Sequence, residues 1–307
     1  MKLRELLNLL KNVGASNSID GIKIVGGTPR DKVLHLIKPG EMNDLDITTG
    51  NKNIHNLAIE VGIELKKRFD ILTKKGDDGH TSIHFPGDGF KLDFSSFFVV
   101  DGIEKLLLEK GIKSPTDLQK ESFSRDFTCN TLLLDLDLKK ISDPTNLGLV
   151  DIQKKILNTC LNPDITFKSN TNRIIRVVYM AAKLDFDVNP EILKWILKNK
   201  DIIRLTSDHY LKTTIDKALS KNPERAVSII NKTDLWDAIP ITDALKPYYN
   251  KRTTIMPVKS AQLKQNYDYG ENIYSNLEKY KSVSDFRKKR IKKRKKIIQK
   301  IKDMKLK

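Results

Sequence analysis

Asp44 and Asp46 are separated by Leu45 and followed by Ile47. On a strand alternate side chains share a face, so both carboxylates point one way while Leu45 and Ile47 enter a core. Two carboxylates held together repel unless a cation lies between them, and oxygen ligands of this kind suit Mg2+. Upstream, in VGGTPRD, the pair Gly26-Gly27 offers close backbone approach and free N–H groups to phosphate oxygens. Arg30 and Asp31 follow, with a helix expected after them. A phosphate cradle and a metal site so close in the chain point to nucleotide chemistry. A third acid, Asp93, lies in FKLDFSS, where Phe90, Leu92 and Phe94 alternate with polar positions. Three converging carboxylates could hold two ions, one lowering the pKa of an attacking hydroxyl and one stabilising a leaving phosphate.

These residues need a scaffold, and the chain from Gly21 to about Ser96 reads as one. Ile22–Val25 is a short apolar run before the glycines, and Leu57–Lys67 has helical spacing. Phe69–Thr73, Thr81–Phe85 and Phe90–Ser95 are β-rich, with PGDG between the last two as a hairpin signal. At the N-terminus Leu3, Leu6, Leu7, Leu10 and Val13 form the stripe of an amphipathic helix, and the charges between them argue against a signal peptide. Beyond about Asn130 strand signals fade. VDIQKKILNT, NRIIRVVYMAAKLDF, PEILKWILKNKDIIRL, HYLKTTIDKALSK and PERAVSIINKTDLWDAI each suit amphipathic helices separated by Pro, Asn or Asp. An α+β head followed by an all-helical region is therefore expected. Trp195 and Trp236 fall among apolar helical positions and are expected in the core.

Composition narrows the partners. Cys129 and Cys160 have no second pair, and the five histidines are scattered, which argues against a disulfide framework or a zinc site and for a reducing, cytoplasmic setting. His80 and His84 are read as polar residues near a hairpin. No run approaches the ~20 apolar residues of a membrane span. Between Arg287 and Lys307 there are thirteen Lys or Arg against the single Asp303, a net +12 out of +17 for the whole chain. Basic charge so concentrated points to a polyanion, nucleic acid before membrane. The tyrosine-rich stretch before it (Tyr267, Tyr269, Tyr274, Tyr280) is expected to pack as a connection.

GGTPRD, DLD, Asp93 in FKLDF, SRDFTCNTLLLDL, Asp143-Pro144 and NRIIRVVYMAAKLDFDVNP follow one another in the order of the motifs of class II tRNA nucleotidyltransferases and bacterial poly(A) polymerases. The chain resembles that family over about residues 20–240. The resemblance implies a polymerase-β-like nucleotidyltransferase head at 1–160 with the N-terminal helix, a helical neck and body at 161–250, and a polar linker with a basic helical tail at 251–307. It implies an enzyme that adds nucleotides from NTPs (ATP, CTP) to the 3′ end of an RNA, foremost CCA addition to tRNA. A poly(A) or oligonucleotide tailing polymerase, or a catalytically silent RNA-binding protein on the same fold, would share the motifs. By the same resemblance Asp44 and Asp46 bind catalytic Mg2+, Asp93 is the third carboxylate, and Gly26 and Gly27 lie against the triphosphate with Arg30 beside them. Arg125, Asp126 and Asn130 serve sugar and phosphates, and Asn170, Arg173 and Arg176 read the base from one helix face. Asn170 stands where the family commonly has an acid, which implies less sharp selection, since an amide both donates and accepts. Ser124 replaces a frequent second arginine, and TNLGL a frequent glycine-rich turn.

Overall fold

The computed structural model describes residues 2–249 apart from 39–40, 77–79, 87–88 and 96. The tyrosine-rich stretch and the basic tail lie outside the described residues, as does the middle of PGDG. The head opens with α1 (Leu3–Ser16), β1 (Lys23–Val25), α2 (Gly27–Val33), β2 (Asp44–Thr48), α3 (Asn53–Lys66), β3 (Leu72–Lys75), β4 (Thr81–His84) and β5 (Lys91–Phe94). Then come α4 (Ile103–Glu109), α5 (Asp117–Phe123), β6 (Leu133–Asp135) and β7 (Ile141–Ser142). The seven strands form one sheet in the order β3-β4-β5-β2-β1-β6-β7. Every pairing in it is antiparallel except β2 with β5, which run parallel.

Alternation decides the two faces of this sheet. Ile24, Leu45, Ile47, Ile83, Leu92 and Phe94 are buried together with Leu6, Leu10, Leu57 and Val61 from α1 and α3. The opposite face of β2 and β5 is left for polar residues. Burying one of these large apolar side chains contributes about 1.5–3 kcal/mol, which is what fixes the strand register against a one-residue slip.

A second core belongs to the helices α6 (Gly148–Lys154), α7 (Pro163–Ser169), α8 (Asn172–Leu184), α9 (Pro190–Asn199), α10 (Asp208–Lys221) and α11 (Pro223–Thr233), with a two-stranded pairing of β8 (Ile156–Leu157) and β9 (Asp187–Val188) beside them. α8 supplies Ile174, Ile175, Val178 and Ala181 to its centre. Phe127, Cys129 and Leu132 already pack into this core, whereas Leu134 and Leu136 return to the sheet core, so the two interleave along the chain. Caps set the helix starts: Asn162, Asn189, Ser207 and Asn222 each accept a backbone N–H from the first turn, three of them ahead of a proline at the first helical position.

Four sequence expectations are corrected here. LLLDLDL contains β6, and β7 follows it, so strand structure does not end at Asn130; the alternation of Leu134, Asp135, Leu136 and Asp137 is the strand signal that was passed over. The helix expected through VDIQKKILNT stops at Lys154, because Lys155 takes a left-handed φ of 53° and the chain turns into β8. α2 begins at Gly27 and contains Arg30 and Asp31 rather than following them. Trp236 is buried as expected, whereas Trp195 is half-buried at the edge of the core, its ring tilted against Phe167 at 5.1 Å while Nε1 donates to Asp164.

Candidate active site

Parallel pairing puts Asp46 directly opposite Asp93, and Asp44 opposite Lys91. Because Leu45, Leu92, Ile47 and Phe94 go to the core, Asp44, Asp46, Lys91 and Asp93 share the other face. Burial pushes the Asp46 carboxyl up to about 6, with Asp44 and Asp93 adding to the rise and Arg125 opposing it. Asp93 behaves the other way. Burial works to raise it, but the Lys91 ammonium and the Ser82 hydroxyl, both bonded to it, hold it below the usual carboxylate range. Lys91 Nζ also sits 3.6 Å from Asp44 Oδ1, and His80 Nε2 lies 2.8 Å from Ser82 Oγ.

The glycine turn abuts this face. Gly26 has φ +74°, and a Cβ there would run into Asp46 Oδ2, so the position demands glycine for both conformation and space. Thr28 Oγ1, in the first turn of α2, donates to the Asp44 carbonyl at 3.2 Å and fixes the turn against β2.

Behind the turn runs a chain of paired charges. Arg30, 3% exposed, donates to Asp31 at 2.7 Å and to Asn130 Oδ1 at 2.6 Å. Asn130 Nδ2 donates to Asp126 Oδ1 at 3.0 Å, and Arg176 Nε donates to Asp126 Oδ2 at 2.7 Å. Burial works to raise the Asp126 carboxyl, yet Arg176, Arg173 and Asn130 together hold it well below the ordinary range. Lys183 reaches Asp31 at 3.1 Å, so α8 is pinned to α2.

Arg125 stands between the two groups. Its Nη2 donates to Glu121 Oε1 at 2.8 Å, Glu121 in turn accepts from Thr48 Oγ1, and its buried Nε has no partner among the described residues. A cation with a free donor beside an acidic face is a natural partner for a phosphate oxygen.

The base-reading trio is arranged differently from expectation. Asn170 lies beyond the end of α7 in extended conformation, and its Oδ1 accepts from Asn172 N at 3.1 Å, so it caps the turn into α8 and does not project from that helix. Arg173 points inward: it is buried, donates to the carbonyls of Ser124 and Thr166, and lies over the Phe98 ring at 5.2 Å. Only Arg176, held by Asp126, lines the side towards the paired-charge chain. Sequence reasoning passed over Lys91, Glu121, Thr48 and Ser82. Two of these had a local signal, Lys91 two residues before Asp93 on one strand face and Glu121 one helical turn before Arg125.

Asp44 and Asp46 fit a divalent cation. They are oxygen donors on one face, and Asp46 is made hard to ionise partly by its acidic neighbours. Among the described residues no group of three acidic, histidine or cysteine side chains is placed to hold a metal ion, so the three carboxylates expected to converge do not form such a group. Among the described residues no helix is long and apolar enough to cross a membrane.

Residues 22–158 match the family described as Poly A polymerase head domain. A CCA-adding enzyme of Limosilactobacillus reuteri (strain DSM 20016) is 27% identical over 222 residues, 70% of this chain and 50% of that protein. The tRNA nucleotidyltransferase cca2 of Schizosaccharomyces pombe is 27% identical over 207 residues, 63% of this chain and 42% of that protein. Among solved structures, a CCA-adding enzyme complexed with ATP superimposes with a TM-score of 0.57 at 20% identity over 76% of this chain and 52% of the other, a likeness of fold. The chain spans about half the length of the curated relatives it matches.

Proposed function

We propose, from the match of residues 22–158 to the Poly A polymerase head domain, that the chain is a template-independent RNA nucleotidyltransferase. The 3′-hydroxyl of an RNA attacks the α-phosphate of an NTP, the new phosphodiester bond forms, and pyrophosphate leaves. The substrate we propose is tRNA, with CTP and ATP as donors and CCA as the product. The single observation that carries the reading is the pairing of Asp46 opposite Asp93 with the Gly26 turn packed against Asp46.

Each residue has a proposed task. Asp44 and Asp46 hold Mg2+, which when bound stabilises charge developing on the phosphates and makes the attacking hydroxyl more acidic. Gly26 and Gly27 lie against the triphosphate, with Arg30 bracing the turn from behind. Arg125 offers its free Nε to a phosphate oxygen. Asp93, kept ionised by Ser82 and Lys91, takes the proton of the attacking hydroxyl at Oδ2. Asp126 and Asn130 face the sugar, and Asn170, Arg173 and Arg176 surround the base, Arg173 by shaping the wall. Catalysis is then mostly positioning and charge stabilisation, with no covalent intermediate on the protein.

We propose the division 1–160 for the head, 161–250 for the helical neck and body, and 251–307 for a linker and basic tail that holds RNA phosphates, in a cytoplasmic protein. The second reading, a poly(A) or oligonucleotide tailing enzyme, shares the same motifs, and Asn170, an exposed amide in place of an acid, leaves the choice between C and A less sharply set. Incubation with tRNA lacking its CCA end, with unrelated RNA, and with each labelled NTP in turn decides between them. CCA completion that stops supports the first reading, open-ended adenylation the second, and incorporation undiminished in Asp44→Ala would overturn both.

A further inference from the structure

We propose that Lys91 is a displaceable counterion, which keeps a free divalent cation off Asp44 and Asp46 and transfers to the triphosphate when cation and nucleotide arrive together. The inference rests on the nucleotidyltransferase reading and deepens it. Lys91 lies two residues before Asp93 on β5, opposite Asp44 in the parallel register. Its ammonium is bonded to Asp93 Oδ2 and lies 3.6 Å from Asp44 Oδ1, so one positive charge bridges the first and third carboxylates across the space a cation would enter.

Both oxygens of Asp93 are engaged in this arrangement, Oδ1 by Ser82 and Oδ2 by Lys91. A cation drawn to the cluster meets an ammonium already neutralising part of its attraction, and the two repel at close range. A nucleotide triphosphate changes the balance by bringing several negative charges to the Gly26 turn beside Asp46. The side chain of Lys91 is 34% exposed on a flexible stem, so the ammonium can leave Asp93 for a phosphate oxygen without opening the core. That departure frees Asp93 Oδ2, the atom proposed to take the proton. The coupling follows from one charge having two alternative partners.

Mn2+ is the probe, measured on the full chain by electron paramagnetic resonance, alone and then as its complex with an unreactive CTP analogue carrying a methylene between the α- and β-phosphates. Lys91→Met is expected to bind free Mn2+ about tenfold more tightly than the unaltered protein, and the Mn2+–nucleotide complex about tenfold more weakly. Lys91→Arg, which keeps the charge, is expected to bind free Mn2+ as the unaltered protein does, and carries the test if Lys91→Met does not fold. Opposite shifts are the signature, since a residue that merely supports the fold moves both affinities the same way. A Lys91→Met protein that binds free Mn2+ no more tightly, or a Lys91→Arg protein that binds it tightly, overturns the inference. Asp46→Ala reports whether the signal comes from this site. RNA extension by the unaltered protein is scored separately: extension without opposite shifts sinks the Lys91 inference alone, and no extension sinks the enzymatic reading.

Discussion

The two halves of the site treat buried charge in opposite ways. On the β2–β5 face, three carboxylates stand together with one lysine, and Asp46 is driven up to about 6 by burial with help from its acidic neighbours. Behind the glycine turn, Asp126, Asn130, Arg30, Asp31 and Arg176 form a chain in which each charge has an opposite partner, and Asp126 is driven down although burial works to raise it. One region stays short of positive charge and is suited to receive a cation; the other is complete and suited to hold its neighbours still. Electrostatic strain marks the place for chemistry, and electrostatic satisfaction marks its support.

Substitution of Asp46 should separate the two most widely. Asp46→Ala is expected to lower nucleotide incorporation on the order of a thousandfold, while thermal unfolding near neutral pH moves little or upwards because a carboxylate whose charged form the fold disfavours has been removed. A large loss of stability in that variant would erase the contrast. Asp126→Ala should do the reverse on the folding side, leaving Arg176 uncompensated and losing about 3 kcal/mol in urea unfolding. Gly26→Ala, forced into a backbone conformation that L-residues avoid and into Asp46, should lose about 2 kcal/mol by the same measurement and most of the activity.

Acidity gives a gentler version of the same comparison. The Asp46 carboxyl titrates higher in the folded chain than unfolded, so its contribution to stability is complete below about pH 4 and is lost as pH rises through about 6. Asp126 titrates lower folded than unfolded, so its contribution is present above about pH 4 and is lost as pH falls below that. Melting curves of the metal-free protein should therefore show Asp46→Asn removing pH dependence between 4 and 6, and Asp126→Asn removing it below 4. The smallest effect belongs to Asn170→Ala. Loss of the cap should lower stability by about 1 kcal/mol, and competition between CTP and ATP should shift less than about tenfold, since the residue lies off the helix that carries Arg176.

Much of this was legible in the chain because alternation is a local property. DLDIT and FKLDF each declare which face their acids take, and the order of motifs pointed to the nucleotidyltransferase fold. The register was not legible: nothing near Asp46 says that Asp93 will be its partner, because β5 joins β2 in parallel after a crossover containing α3, β3 and β4. The trio at 170–176 was placed on one helix because spacing of three suits a helix, but α8 begins at Asn172, and a helix boundary depends on capping geometry that periodicity does not encode. Arg173 was expected to share a helix face with Asn170 and Arg176 and instead turns inward, since nothing in its neighbours' pattern reveals that Ser124 and Thr166 turn their carbonyls towards it.

The parallel join of β2 to β5 also has a consequence for assembly in time. Antiparallel hairpins form from neighbours, whereas a parallel pair must wait for its crossover, and such non-local pairings slow folding. A nascent chain that has emerged only as far as β4 carries Asp44 and Asp46 without their partners. The strand that completes the site then delivers Asp93 and Lys91 in the same step, an acid together with the base that offsets it, so the growing sheet takes up no net charge at the moment of closure.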